Sequence, residues 1–166
     1  IIESKNDYVV QVKGNQKKLL EQLKFNITVS SAVSVDKQTE LNRNRFETRE
    51  VFVFNDLYGI DCTKWGSVKE FVKVVRTTHK KGSAKSKAVE TSYYISSKSM
   101  SAKLYNIGIR AHWAIENSLH YVKDVTFCED ASLIRTGCAP TNFSIIRNIA
   151  INLFSRLNFT SFKQAI

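Results

Sequence analysis

At 166 residues, with 43% hydrophobic and 24% charged side chains, six Gly and one Pro, the chain has the composition of a folded domain, not of a disordered tail. Its net charge of +10 and pI near 9.6 favour polyanions, nucleic acid first and an anionic membrane surface second. No apolar run approaches the roughly 20 residues a membrane span needs, and Ile1-Ile2-Glu3-Ser4 lacks the basic-then-apolar order of a signal peptide.

In chain order, Asp7 to Lys13 (DYVVQVK) reads as a buried strand because its β-branched run is flanked by Gly14-Asn15. A short helix from Gln16 to Lys24 follows, with Leu19, Leu20 and Leu23 on one face. Residues 26–44 are polar and mixed and read as irregular. Arg45 to Phe54 alternates Phe46, Thr48, Phe52 and Phe54 with charged neighbours and predicts a strand. Glu70 to Thr78 and Val89 to Ser97 predict two more, joined by the basic loop 79–87. From Ser101 the character turns helical: one helix over Ala102 to Lys123, another over Thr141 to Leu157 with Pro140 beside its start. Ile145, Ile149, Leu153 and Leu157 recur at helical spacing and are expected to pack inward.

Three cysteines, Cys62, Cys128 and Cys138, are an odd number at spacings unlike a zinc site, and read as reduced thiols of a cytosolic protein. The first residue is Ile and the single Met is Met100, the pattern of a chain that begins inside a longer reading frame.

On the helix from 102 to 123, Tyr105, Ile109, His112, Glu116, His120 and Lys123 fall on one face at 100° per residue, beside an apolar stripe of Gly108, Ile115, Leu119 and Val122. A carboxylate in mid-helix can reach a metal, and Lys123, two turns on, a phosphate. The plainer alternative is a solvated amphipathic helix with a Glu116–His120 pair worth a few tenths of a kcal/mol, and spacing leaves both open. A zinc protease is set aside, since its motif needs His-Glu-x-x-His. His112 and His120 lie about 12 Å apart along the axis, too far for one ion to take both comfortably.

Ile109-Arg110-Ala111-His112-Trp113-Ala114-Ile115-Glu116-Asn117-Ser118-Leu119-His120 resembles the IR-x-HW-x-IEN-x-LHW segment of DDE insertion-sequence transposases related to the H-repeat-associated proteins. The likeness continues through Asp124-Val125-Thr126-Phe127, Glu129-Asp130, Ile134-Arg135, Gly137, Ala139-Pro140 and Asn142. Upstream, Asp7-Tyr8 with Lys13-Gly14-Asn15-Gln16, Arg45-Phe46-Glu47-Thr48-Arg49 and Tyr94-Ile95-Ser96-Ser97 are similar to further family segments, in the family's order. The chain departs from the pattern at Arg43-Asn44, where the family has His-Gly, at Tyr121 in place of Trp, and at Ala114 in place of Gly.

The resemblance implies an α/β fold: the C-terminal part of an RNase H-like catalytic domain with a β-rich insertion and a helical C-terminus. Residues 1–25 would form a core strand and helix, 26–98 the insert, and 99–166 the helical part carrying the catalytic Glu. In such enzymes three acidic residues hold two divalent ions, Mg²⁺ or Mn²⁺, that act on a DNA phosphodiester. Glu116 matches the last of the three, as catalytic residue and metal ligand. Both Asp fall before the chain, and Asp7, Asp36, Asp56, Asp61, Asp124 and Asp130 match neither motif. The resemblance also implies double-stranded DNA as partner, a homo-oligomer when complete, and a bacterial cytosolic, nucleoid-associated location.

Lys13, Arg45, Arg49, Lys80, Lys81, Arg110, His112 and Lys123 are the candidate DNA contacts. Arg76, Lys80, Lys81, Lys85 and Lys87 form a run without an intervening acid, and Lys and Arg on phosphates give sequence-independent affinity. Three functions follow as expectations. The chain is part of a transposase, inactive without the two Asp; or a catalytically dead basic module that binds DNA without sequence preference; or a helix-borne metal hydrolase.

Overall fold

The computed structural model describes residues 6–42, 45–80, 88–115 and 119–157. Two compact units divide the chain, Ile1–Gly108 and Ile109–Ile166.

In the first unit, the strands β1 (Val9–Val12), β2 (Ser34–Asn42), β3 (Arg45–Phe54), β4 (Glu70–Lys80) and β5 (Ala88–Ser96) form one antiparallel sheet in the order β1-β5-β4-β3-β2. Register sets its faces. Phe54 stands opposite Phe71, Phe71 opposite Ile95, and with Val12 these side chains meet Leu19 and Leu23 of helix α1 (Lys17–Val29) in one core. The Phe54 and Phe71 rings stack at 4.9 Å with planes 7° apart. Each such fully buried apolar side chain contributes about 1.5–3 kcal/mol. The period-2 alternation turns Val51, Val53, Val72, Val74 and Tyr94 to the opposite face, where they are buried too.

Helix α1 runs past its expected end at Lys24 to Val29 because Asn26, fully buried, has partners across the fold. Its amide donates to the carbonyls of Asp56 (3.2 Å) and Tyr58 (2.9 Å), and Gln22 donates to the same Tyr58 carbonyl at 3.0 Å. Gly59, at φ +69°, makes the turn that presents this carbonyl.

The segment expected to be irregular over 26–44 is instead the end of α1 and an edge strand, with 43–44 outside the described residues. Strand β2 lacks an apolar alternation because polar cross-strand pairs hold it: Lys37–Glu50 at 3.0 Å and the hydroxyls of Thr39 and Thr48 at 3.0 Å. It also anchors helix α2 (Ala102–Ile115). Ser34 accepts from the Ala102 N–H at 3.0 Å, and Asp36 from the Asn106 amide at 2.7 Å. The other strands match the expected bounds within a residue or two, with β4 extended to Lys80 and β1 shortened to Val9–Val12. Strand β1 is not the buried strand expected, because it lies at the sheet edge with Val9 and Val10 exposed and only Val12 buried. Residues 81–87 of the basic loop lie outside the described residues.

In the second unit, the helix expected over Ala102 to Lys123 is described in two parts, and the second is not regular α-helix. Helix α2 is described to Ile115, residues 116–118 lie outside the described residues, and Val122–Thr126 is a π-helical turn closed by Phe127 N–H to the Val122 carbonyl at 3.1 Å. Helix α3 (Ala139–Arg156) has Pro140 in its first turn, as expected. Its inward face is not the expected one. Ile145, Ile149, Leu153 and Leu157 are each more than half exposed, while Ile151 is buried and Ser144, Arg147 and Asn148 are partly buried. The helical period was right but the stripe was wrong: polar partners, not the largest apolar side chains, decide which side of α3 turns in.

Among the described residues no helix is long and apolar enough to cross a membrane. The three cysteines are exposed and unpaired with one another.

Candidate functional site

Glu116, the residue on which the catalytic expectation falls, lies outside the described residues. Its surroundings in sequence are described on both sides. His112, in the last turn of α2, and Arg110 are exposed. Tyr105, placed by 100° spacing on the same polar face, is instead only 1% exposed in the first unit. Its hydroxyl donates to Glu70 Oε2 at 2.9 Å, and the same oxygen accepts the Met100 N–H at 3.1 Å. Burial pushes the Tyr105 phenol pKa well up, and the hydrogen bond and charge of Glu70 add to the rise, although a hydrogen bond with Ser96 opposes it. This is a neutral anchor for the start of α2, not part of an acid–base pair.

The second unit brings together a cluster that spacing did not reveal. Lys123 Nζ lies 2.9 Å from Glu129 Oε2 and donates to Ser144 Oγ at 2.8 Å. Arg147 Nη1 lies 3.8 Å from Glu129 Oε1. Burial pushes the Glu129 carboxyl up, but hydrogen bonds from Lys123 and Ser144 and the charges of Lys123 and Arg147 outweigh it and hold its pKa below the ordinary value. The partners are six and twenty-four residues from Lys123 (Glu129 and Arg147), and no local motif links them. The π-helical turn also ends the 100° phase on which Lys123 was expected to join the Glu116 face.

The remaining candidate DNA contacts separate. Lys13 and Arg45 are exposed, and Arg45 is in register with Lys80 at the far end of the β3–β4 ladder. Lys81 lies outside the described residues. Arg49 is mostly covered and held by Glu47 on its own strand. Arg76 sits between Glu47 (3.7 Å) and Glu90 (3.8 Å), so folding sets acids beside a cation that the linear run left without them.

Two divalent ions need several charged oxygens each, and the described acids do not converge to supply them. Asp36 faces Asn106, Asp56 accepts from Ser30 at 2.6 Å, Asp61 binds Thr63 and Lys64, and Asp7 pairs with Lys98 at 3.5 Å. Among the described residues no three His, Cys, Asp or Glu side chains group to hold a metal. The donor set of the described part therefore does not fit a two-metal centre.

The fold is a mixed α/β arrangement of a five-stranded antiparallel sheet with helices, and the sequence matches the family model described as the transposase DDE domain over residues 1–153. The chain belongs to that family. It is 39% identical over 160 residues to YncI of Escherichia coli O157:H7, named as a transposase, covering 92% of this chain and 41% of that protein. It is 34% identical over 157 residues to YbfL of Escherichia coli strain K12, covering 90% of this chain and 41% of YbfL. Over 63 residues it is 48% identical to YhhI of the same strain, named as an H repeat-associated transposase, covering 38% of this chain and 17% of YhhI. The chain thus spans about two-fifths of the length of YncI and YbfL. No solved structure matches it significantly.

Proposed function

We propose that this chain is the C-terminal part of an RNase H-like DDE transposase catalytic domain, and that Glu116 is the one catalytic carboxylate it supplies. The observation that carries this is the family match over residues 1–153, within which Glu116 stands in the IRAHWAIENSLH segment. In the complete enzyme, Mg²⁺ or Mn²⁺ would stabilise the attacking and leaving oxygens of a DNA phosphodiester. The other carboxylate ligands would come from outside these residues.

The basic side chains define how the chain is proposed to meet DNA. Lys13, Arg45, Lys80, Lys81, Arg110 and His112 are the proposed phosphate contacts, and each phosphate neutralised steepens the salt dependence by about 0.9 in log–log slope. Arg49, already on a carboxylate, is left out of this set. A complete enzyme would act on transposon ends as an oligomer.

The isolated chain, with one of three carboxylates, is proposed to bind duplex DNA without cutting it. The purified chain is tested with supercoiled DNA and Mg²⁺ or Mn²⁺. No nicking above the level of Glu116→Gln is expected. Nicking by the chain that Glu116→Gln abolishes would mean that the residues at hand form a working centre by themselves.

A further inference from the structure

We propose that Lys123, Glu129, Ser144 and Arg147 form an internal clasp that fixes the segment following Glu116 onto α3, so that Lys123 is a positioning residue and not a DNA contact. The proposal rests on the transposase reading only for the importance of Glu116, seven residues before Lys123. The clasp itself stands on geometry within the second unit.

Lys123 is held twice by the same residue. Its carbonyl accepts the Glu129 N–H at 3.0 Å, and its ammonium lies 2.9 Å from the Glu129 carboxylate. The backbone bond joins residues six apart and closes over Cys128, whose φ of +51° is a left-handed conformation of the kind that ends helices. The side chains of Lys123, Glu129 and Arg147 are only 14%, 22% and 15% exposed. A solvated surface pair contributes little, but charge-assisted bonds screened from water are about twice as strong as neutral ones. The carboxylate between two cations leaves the cluster with one net positive charge, and Ser144 Oγ accepts a further hydrogen bond from the ammonium.

The same cluster accounts for the orientation of α3. Ser144, Arg147 and Ile151 follow i, i+3, i+7 spacing, so a helix that offers Ser144 and Arg147 to the Lys123–Glu129 pair must bury Ile151 with them and leave Ile145 and Ile149 outside. A Lys123 reaching for a phosphate would abandon this arrangement, leaving Glu129 the Ser144 hydroxyl and the 3.8 Å contact with Arg147 as its charge partner.

Hydrogen exchange on the full chain tests the clasp. In Lys123→Met and in Glu129→Gln, the Phe127 and Glu129 amides should exchange about ten-fold faster, while the Val51 and Val53 amides of the sheet stay unchanged. The double variant should exchange no faster than either single one, because both remove the same pair. Ser144→Ala, a milder change, should give a smaller acceleration at the same two amides. Duplex binding supplies the second readout: Lys123→Met should keep the wild-type salt slope, whereas Lys80→Met should lower it by about one. A Lys123→Met variant with unchanged exchange and a slope lower by about one would overturn the clasp and make Lys123 a phosphate contact. If the wild-type chain showed no salt-sensitive duplex binding, the transposase reading would fail, and the exchange cycle would still decide the clasp.

Discussion

Asn26 is an asparagine at a position where the helical pattern of Leu19 and Leu23 calls for an apolar residue. It is tolerated without any exposure because its amide protons meet the carbonyls of Asp56 and Tyr58. The turn that aims the Tyr58 carbonyl depends on Gly59 at φ +69°, where an added Cβ would come 2.6 Å from the Gln22 amide nitrogen. Gly59→Ala therefore combines a left-handed alanine with displacement of a bonded side chain. It should destabilise the first unit by about 1–2 kcal/mol, read as a lower urea midpoint at unchanged slope. None of this is visible in the sequence, where Asn26 opens a stretch that reads as irregular. A buried polar residue looks like a loop residue until its partners, some thirty residues away, are known.

At the scale of elements, the strands rich in β-branched and aromatic residues were legible in the sequence. Strand β3 has the expected ends, Arg45 and Phe54, because alternation and propensity point the same way there. Strand β2 was not legible, since its stabilising pairs are cross-strand hydroxyls and charges, without a local period. The start of α2 was not legible for a related reason: spacing puts Tyr105 on the polar face with Glu116, but its polar tip finds Glu70 inside the fold. Tyr105→Phe removes that donor from a buried carboxylate and should cost about 1–3 kcal/mol of stability, measured by equilibrium unfolding. In the second unit, the clasp adds a pH dependence of defined sign. The Glu129 pKa is depressed on folding, so its contribution to stability is present above the ordinary value of 4.5 and is lost as pH falls below that through the folded value. Thermal melts from about pH 5 to about pH 3 should show this loss in the wild type and a smaller one in Glu129→Gln. An equal loss in both would remove Glu129 from the account.

For the whole molecule, the proposed DNA partner rests on the net charge of +10 and the family match, and salt is its simplest probe. Duplex affinity of the chain should fall steeply and linearly in log–log form as salt rises, with little dependence on sequence. A flat response would leave the basic residues without an electrostatic role. Family membership was legible from the ordered segments around Glu116, because a motif of that length is far more specific than any single spacing. The geometry of the site was not: Lys123 was expected from its interval after Glu116, but its partners lie on the turn at Glu129 and on α3, and only the fold brings them together.

The most direct test of the central claim is metal-dependent DNA cleavage by a chimera in which this chain replaces the matched two-fifths of YncI. The account predicts cleavage that requires Mg²⁺ or Mn²⁺ and falls at least about a thousand-fold with Glu116→Gln. A chimera that cleaves equally well with that substitution, or does not cleave at all, would contradict the assignment of Glu116 as the carboxylate this chain contributes.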